Sequence, residues 1–343
     1  MTEFINKLEK DFNIQIVHSD KCIKGTDTFS INKENNIRSL HLYEVELKSL
    51  DILLPIANSI VELSLRDANI QDLTKLKYFT NLEELNLSLN PLLPSSFNHI
   101  SQLKKLKYLD LSATDLQNTE TLAKLKSLEF LYIGFNSDIE EVKNLEPLSS
   151  LKHLGLEFSG IKRIKDISAS NTIQTLNLKG SKVEDMNGLS KFHNLIELNL
   201  SGNPIEKIKG LNQLKQLKKL NLSSINVDKI EGLQDLANLN ILDLSNNELK
   251  EIIGLNSLIE LRELNLSENN IHKIANINNL INLEHLLLDY NKINNLNSTI
   301  LPNIKTQCTI SLCHNPITTI DKSIPNNINI KFTDSNHMPK ALF

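Results

Sequence analysis

Leu195-Ile-Glu-Leu198-Asn-Leu200-Ser-Gly-Asn203-Pro-Ile205, followed by Ile208, Leu211 and Leu214, is the stretch on which the reading of this chain turns. Leu198 and Leu200 alternate with Glu197, Asn199 and Ser201, the period of a short strand whose neighbouring side chains face opposite sides. The later apolar residues are spaced by three, which keeps them on one face of a tight helical or extended return limb. Twenty-two residues on, the pattern begins again as Leu217-Lys-Lys-Leu220-Asn-Leu222, then Val227, Ile230, Leu233 and Leu236.

Working outward in both directions, the same register starts at Ile37, Ile60, Leu82, Leu106, Leu128, Leu151, Ile173, Leu195, Leu217, Leu239, Leu261, Leu283 and Gln307. Six successive intervals, from Leu151 to Leu283, are each 22 residues, so the repetition is structural and not accidental. The ninth position is Asn at Asn90, Asn136, Asn203, Asn247, Asn269, Asn291 and Asn315. There the chain has to bend inward after the strand, and a buried amide that both donates and accepts offsets the cost of stranded backbone groups. One such unit cannot bury enough apolar surface to stand alone; stacking on its neighbours supplies the rest.

The recurring Leu-x-x-Leu-x-Leu-x-x-Asn-x-Ile, continued by Ile-x-x-Ile-x-Gly-Leu-x-x-Leu, resembles leucine-rich repeat proteins of the short 22-residue class. That class is found in bacterial internalins and in a regulatory subunit of a eukaryotic protein phosphatase. Unit three departs from it, since Leu93-Pro94-Ser95-Ser96-Phe97 is similar to a longer repeat type. The resemblance implies an α/β solenoid: a curved leucine-rich repeat horseshoe with a concave parallel β-sheet and an irregular or 3₁₀ convex side. The expected organisation is an N-terminal cap over 1–36, an array of about 13 units over 37–323, and a C-terminal cap and tail over 324–343. Phe4, Ile5, Leu8 and Phe12 recur at helical spacing and suit an amphipathic cap. Ile324, Ile328, Ile330 and Phe332 are placed to close the far end.

Composition narrows the function. Among 343 residues, 37 basic and 41 acidic side chains leave a net charge of −4, which argues against a nucleic-acid binder with a dominant basic face. Basic runs such as Lys104-Lys105-Leu106-Lys107 and Lys215-Gln216-Leu217-Lys218-Lys219 are read as solvated surface. No apolar run approaches the length of a membrane-spanning helix, so no membrane insertion is expected. The N-terminal stretch lacks the apolar core of a signal peptide, and three cysteines are too few for a disulfide framework; a cytoplasmic location is the expectation. Cys308, Cys313 and His314 lack the paired spacing of a zinc module, and Cys313 and His314 fall at the outward seventh and eighth positions and are read as surface residues, so neither a metal nor a cofactor is expected. No phosphate loop, zinc-protease helix or nucleophile elbow is present, and the serines at the seventh position recur too regularly to be a nucleophile.

In the expected geometry the third, fifth and seventh positions of each unit face solvent on the concave side, and the eighth lies at the rim. Units seven to nine carry small polar residues there. Units four to six carry Tyr108, Asp110, Phe130, Tyr132, His153 and Glu157, with Phe135 and Phe158 at the rim. Tyr108, Phe130, Tyr132, Phe135 and Phe158 are all of the Phe and Tyr residues between positions 100 and 160, and the leucine layer accounts for none of them. A cluster of rings on a wet surface marks an interaction site when it is not simply self-stacked. The eight residues form the expected partner-binding site of a non-catalytic protein–protein interaction scaffold. The alternative that the resemblance allows is a regulatory subunit docking on an enzyme such as a protein phosphatase. A weaker patch lies at His285, Leu287, Asp289 and Tyr290, near Ile241.

Overall fold

Leucines and isoleucines at the first, fourth and sixth positions of the units, Gln307 apart, are the side chains the fold hides. From Leu40 and Leu42 to Leu286 and Leu288, the fourth- and sixth-position residues are at most 1% exposed. The computed structural model describes residues 2–20, 23, 25–296, 304, 307–320 and 326–332. Cys22, Ile324 and most of the 324–343 segment lie outside the described residues. The chain divides into two units by internal contacts, Met1–Gly160 with Asp166–Ile173, and Ile161–Lys165 with Gln174–Phe343.

The first unit opens with helix α1 (Thr2–Phe12), which buries Ile5 and Leu8 and leaves its polar face wet. Strands β1 (Val17–His18) and β2 (Thr28–Ile31) follow, and β2 runs antiparallel to β3 (Ile37–Tyr43). From β3 on, every strand pairs parallel with the next: β4 (Glu62–Arg66), β5 (Glu84–Asn86), β6 (Tyr108–Asp110), β7 (Phe130–Tyr132) and β9 (His153–Gly155). The register is uniform, so like positions align in rows. The third-position row reads Ser39, Glu62, Glu84, Tyr108, Phe130, His153; the fifth reads His41, Ser64, Asn86, Asp110, Tyr132, Gly155. A two-stranded sheet on the return limbs joins β8 (Val142–Leu145) to β10 (Ile167–Ala169). Short 3₁₀ turns at Leu50–Ile56, Thr74–Tyr78 and Glu120–Lys124 occupy the return limbs. Unit three replaces this with a 3₁₀ turn at Pro94–Ser96 running into α2 (Phe97–Ile100), and Phe97 is buried.

The second unit repeats the plan with β11 (Thr175–Asn177), β12 (Glu197–Asn199), β13 (Lys219–Asn221), β14 (Ile241–Asp243), β15 (Glu263–Asn265) and β16 (His285–Leu287), all parallel. A small pair, β17 (Asn295–Leu296) and β19 (Thr319–Ile320), lies beside the main run, which ends in β18 (Cys308–Ser311) and β20 (Ile328–Lys331). The limb residues Ile205, Ile208, Leu211 and Leu214 are all at most 1% exposed, as their spacing of three requires.

The ninth-position asparagines do the work expected of them. Asn136 Oδ1 accepts from the backbone N–H groups of Thr114 and Leu116, each at 3.0 Å, while Nδ2 donates to the carbonyls of Leu111, Ile133 and Gly134. Asn90, Asn247 and Asn269 make the same cross-coil bridges. Where Asn is replaced by Thr114, the hydroxyl donates to the Leu111 carbonyl at 2.6 Å and makes no equivalent cross-coil bridge among the described residues.

Candidate functional site

The strand face is less open than its alternation suggests. Seventh-position Ser88 and Ser201 are at most 5% exposed, and Cys313, expected at the surface, is 3% exposed. Strands lie about 4.8 Å apart, so a short side chain is covered by its neighbours on adjacent coils. Hydrogen bonding fixes it there. The Oδ1 of a fifth-position Asn or Asp accepts from both the N–H and the hydroxyl of the seventh-position Ser, in Asn86–Ser88, Asn199–Ser201, Asn221–Ser223 and Asp243–Ser245. The serine column is therefore a strand-end device. The Cys313 N–H donates instead to Asp289 Oδ1 at 2.7 Å. Burial pushes the Cys308 thiol up to about 12, so it stays protonated and unreactive near neutral pH. His314 is exposed, and it stacks on Tyr290 with ring centroids 4.1 Å apart. Of the weaker patch, Leu287 and Asp289 are buried, His285 and Ile241 are half-buried and Tyr290 is exposed.

Against this shielded background the eight expected partner-binding residues stand out. Tyr108 and Asp110 lie on β6, Phe130 and Tyr132 on β7, and His153 on β9; all are half-buried and none enters the leucine layer. Phe130 and His153 stack almost parallel, 4.3 Å apart and 5° from coplanar. Tyr108 tilts against both Phe130 (6.3 Å) and Tyr132 (5.5 Å). The rim rings Phe135 and Phe158 stack on each other at 4.8 Å yet remain 58% and 44% exposed. Self-stacking and exposure thus coexist: the rings shield one another's edges and leave an apolar surface uncovered.

Two features of the site escape a reading by residue type. The eighth position has a left-handed backbone in all thirteen units, from Glu44 (φ 54°) to His314 (φ 57°), including Phe135 (φ 55°) and Phe158 (φ 52°). Bulky side chains are rarely found there. Gly180 and Gly202 hold the same position at φ 62° and 67°, the residue the geometry favours. The second feature is a pair of glycines, Gly134 and Gly155, beneath the cluster. Tyr132 pairs in register with Gly155, and a β-carbon on Gly134 would stand 2.9 Å from both the carbonyl oxygen and Oε2 of Glu157. The missing side chains make room for the Tyr132 ring and the Glu157 carboxylate.

The charges around the rings are perturbed. Burial raises the Asp110 carboxyl above its ordinary range, although the Ser112 N–H donates to its Oδ1 at 2.9 Å. Burial also raises the Tyr132 phenol, helped by the nearby Glu157 and Asp110 carboxylates. Neighbouring basic side chains pair off across coils, as Lys107 does with Glu83 and Lys152 with Glu129.

Residues 193–235 match the family model described as leucine-rich repeats in two copies. No curated protein matches the sequence. Among solved structures, the chain is similar to an internalin (InlF) from Listeria monocytogenes, with a TM-score of 0.70 at 20% identity, covering 84% of this chain and 90% of that one. It is also similar to a chain of the Toll–Spatzle complex from Drosophila, with a TM-score of 0.67 at 20% identity, over 87% of this chain and 44% of that one. At such identities the likeness is one of fold.

Proposed function

We propose that this leucine-rich repeat protein is a non-catalytic scaffold that docks a protein partner on its strand face, the expected concave side. The cluster from Tyr108 to Phe158 is the centre of that surface. One observation carries the reading: Phe135 and Phe158 are held exposed, at 58% and 44%, on backbone that disfavours any bulky side chain. Nothing in the packing of the coils needs rings there, whereas a partner covering them would remove a large apolar area from water. The half-buried Tyr108, Phe130 and Tyr132 extend the same surface inward. Such rings freeze few rotors on binding, and they are characteristic anchors of protein interfaces. Support also comes from the similar chain of Drosophila, which was solved within a protein–protein complex.

The test is affinity capture from the native cell with the Phe130→Ala/Tyr132→Ala double variant as control. The variant is expected to lose the partner while its melting temperature stays nearly unchanged, because neither ring belongs to the leucine layer. A large fall in melting temperature would show that the rings are structural. Capture unaltered by the substitutions would place the docking surface elsewhere.

A further inference from the structure

We infer that a hollow at the edge of the aromatic cluster receives an arginine side chain of the docked protein. The inference rests on the strand face being a protein-docking surface and adds the chemistry of one anchor. The hollow measures about 210 Å³ and is lined chiefly by His41, Tyr43, Glu62, Glu84, Asn86 and Tyr108. Sites that enclose a whole small molecule run to roughly 300–1,000 Å³. This one suits a single long side chain, and Tyr108 joins it directly to the cluster.

Its two carboxylates are not equivalent. Glu62 is already engaged: His41 Nε2, on a side chain only 6% exposed, lies 3.0 Å from Oε1, and Arg38 Nη1 lies 3.9 Å from Oε2. The His41 hydrogen bond, then the nearby positive charge, holds the Glu62 carboxyl below its ordinary range. Glu84 is its direct partner in register on the next strand and makes no ion pair among the described residues. Partial loss of hydration in the hollow, with repulsion from Glu62, raises its carboxyl against the weaker opposing pull of Arg38 and His41. A negative charge that no ion pair among the described residues neutralises therefore sits in a side-chain-sized recess walled by Tyr43 and Tyr108. A cation entering the recess relieves both the lost hydration and the repulsion. The tyrosine walls favour a guanidinium over an ammonium, because the planar group stacks on rings while its N–H fork grips a carboxylate through two bonds.

The probe is a blocked Gly-Arg-Gly peptide titrated into the full chain, followed through the ring signals of Tyr43 and Tyr108 by NMR. Counterparts carrying citrulline or lysine serve as comparisons. The arginine peptide is expected to shift both rings saturably, with binding weakened about tenfold by citrulline and about tenfold by Glu84→Gln. Glu84 is exposed at the strand face, so the isosteric change leaves folding intact. The Phe135→Ala/Phe158→Ala variant, which leaves the rings packed on Tyr108 in place, should bind the peptide like the unaltered protein while losing the partner. Arginine binding intact beside undiminished partner capture by that variant would leave the hollow standing and overturn the docking reading alone. Equal curves for the three peptides, no saturable shift, or indifference to Glu84→Gln would overturn the arginine site.

Discussion

The ring of Tyr132 lies against the bare α-carbon of Gly155: a β-carbon there would stand 2.7 Å from ring Cδ1 and 2.9 Å from Glu157 Oε2. Tyr132 thus owes its pose to a missing side chain on the neighbouring strand. Gly155→Ala should push the ring off the sheet and displace the carboxylate, costing roughly 1–3 kcal/mol as other overpacked sites do. Urea unfolding measures the first effect and ring-proton NMR of Tyr132 the second. Unchanged stability together with an unmoved ring would show that the contact is easily accommodated.

Phe158 invites the opposite substitution. Its left-handed backbone costs about 1–2 kcal/mol for a residue with a β-carbon. Phe158→Gly relieves that strain, loses a stack with Phe135 worth about 0.5–1.5 kcal/mol, and adds about 0.5–1 kcal/mol of chain entropy to the unfolded state. The net change in unfolding free energy is expected to lie within about 1 kcal/mol, while partner capture falls. A loss above about 2 kcal/mol would identify the ring as part of the frame.

Asn136 tests the frame itself. Its amide satisfies five backbone groups across two coils, and Asn136→Ala leaves them buried without that partner. The Leu111 and Gly134 carbonyls keep the Thr114 hydroxyl and the Ala113 N–H; each of the other three groups costs about 1–3 kcal/mol when orphaned, partly recovered by relaxation, so a total of roughly 3–5 kcal/mol is expected by chemical unfolding. A cost below about 1 kcal/mol would mean that water or shifted backbone replaces the amide readily.

The frame was legible because its residues are periodic. Leu198, Leu200 and Asn203 recur as types, and each type has one physical task. The site was legible only in part. Tyr108, Phe130 and Tyr132 announce themselves as rings where the leucine layer has no use for them. What covers a position does not announce itself: Cys313 alternates like a surface residue, yet the adjacent coil, 22 residues or more away in the chain, closes over it. The left-handed eighth position is hidden for a related reason, since Glu44, Leu89 and Phe135 share a backbone that Gly180 and Gly202 betray most clearly by type. The hollow beside Glu84 needs the register of β3 to β6, which no single repeat contains.

Asp110 is the position where the site and the frame conflict. Burial raises its carboxyl, so the folded chain holds the acid's proton more tightly than the unfolded chain does. The ionised group therefore costs stability at every pH above its folded value, and the cost fades as pH falls through that value toward the ordinary 3.8. Asparagine cannot ionise, and at the same position Asn86, Asn199 and Asn221 accept the same bonds from the serine two residues on. Asp110→Asn is thus expected to raise stability at pH 7, with the gain shrinking as the solution is taken down toward pH 4. Glu62 titrates with the opposite sign: its lowered carboxyl gives stability above the ordinary value of 4.5 that is lost on acidification. It is common to both proteins and cancels in the difference. Urea midpoints for the pair at pH 7, 5 and 4 measure the trend. A gain that does not change with pH, or a variant less stable at pH 7, would remove the cost assigned to the buried carboxylate.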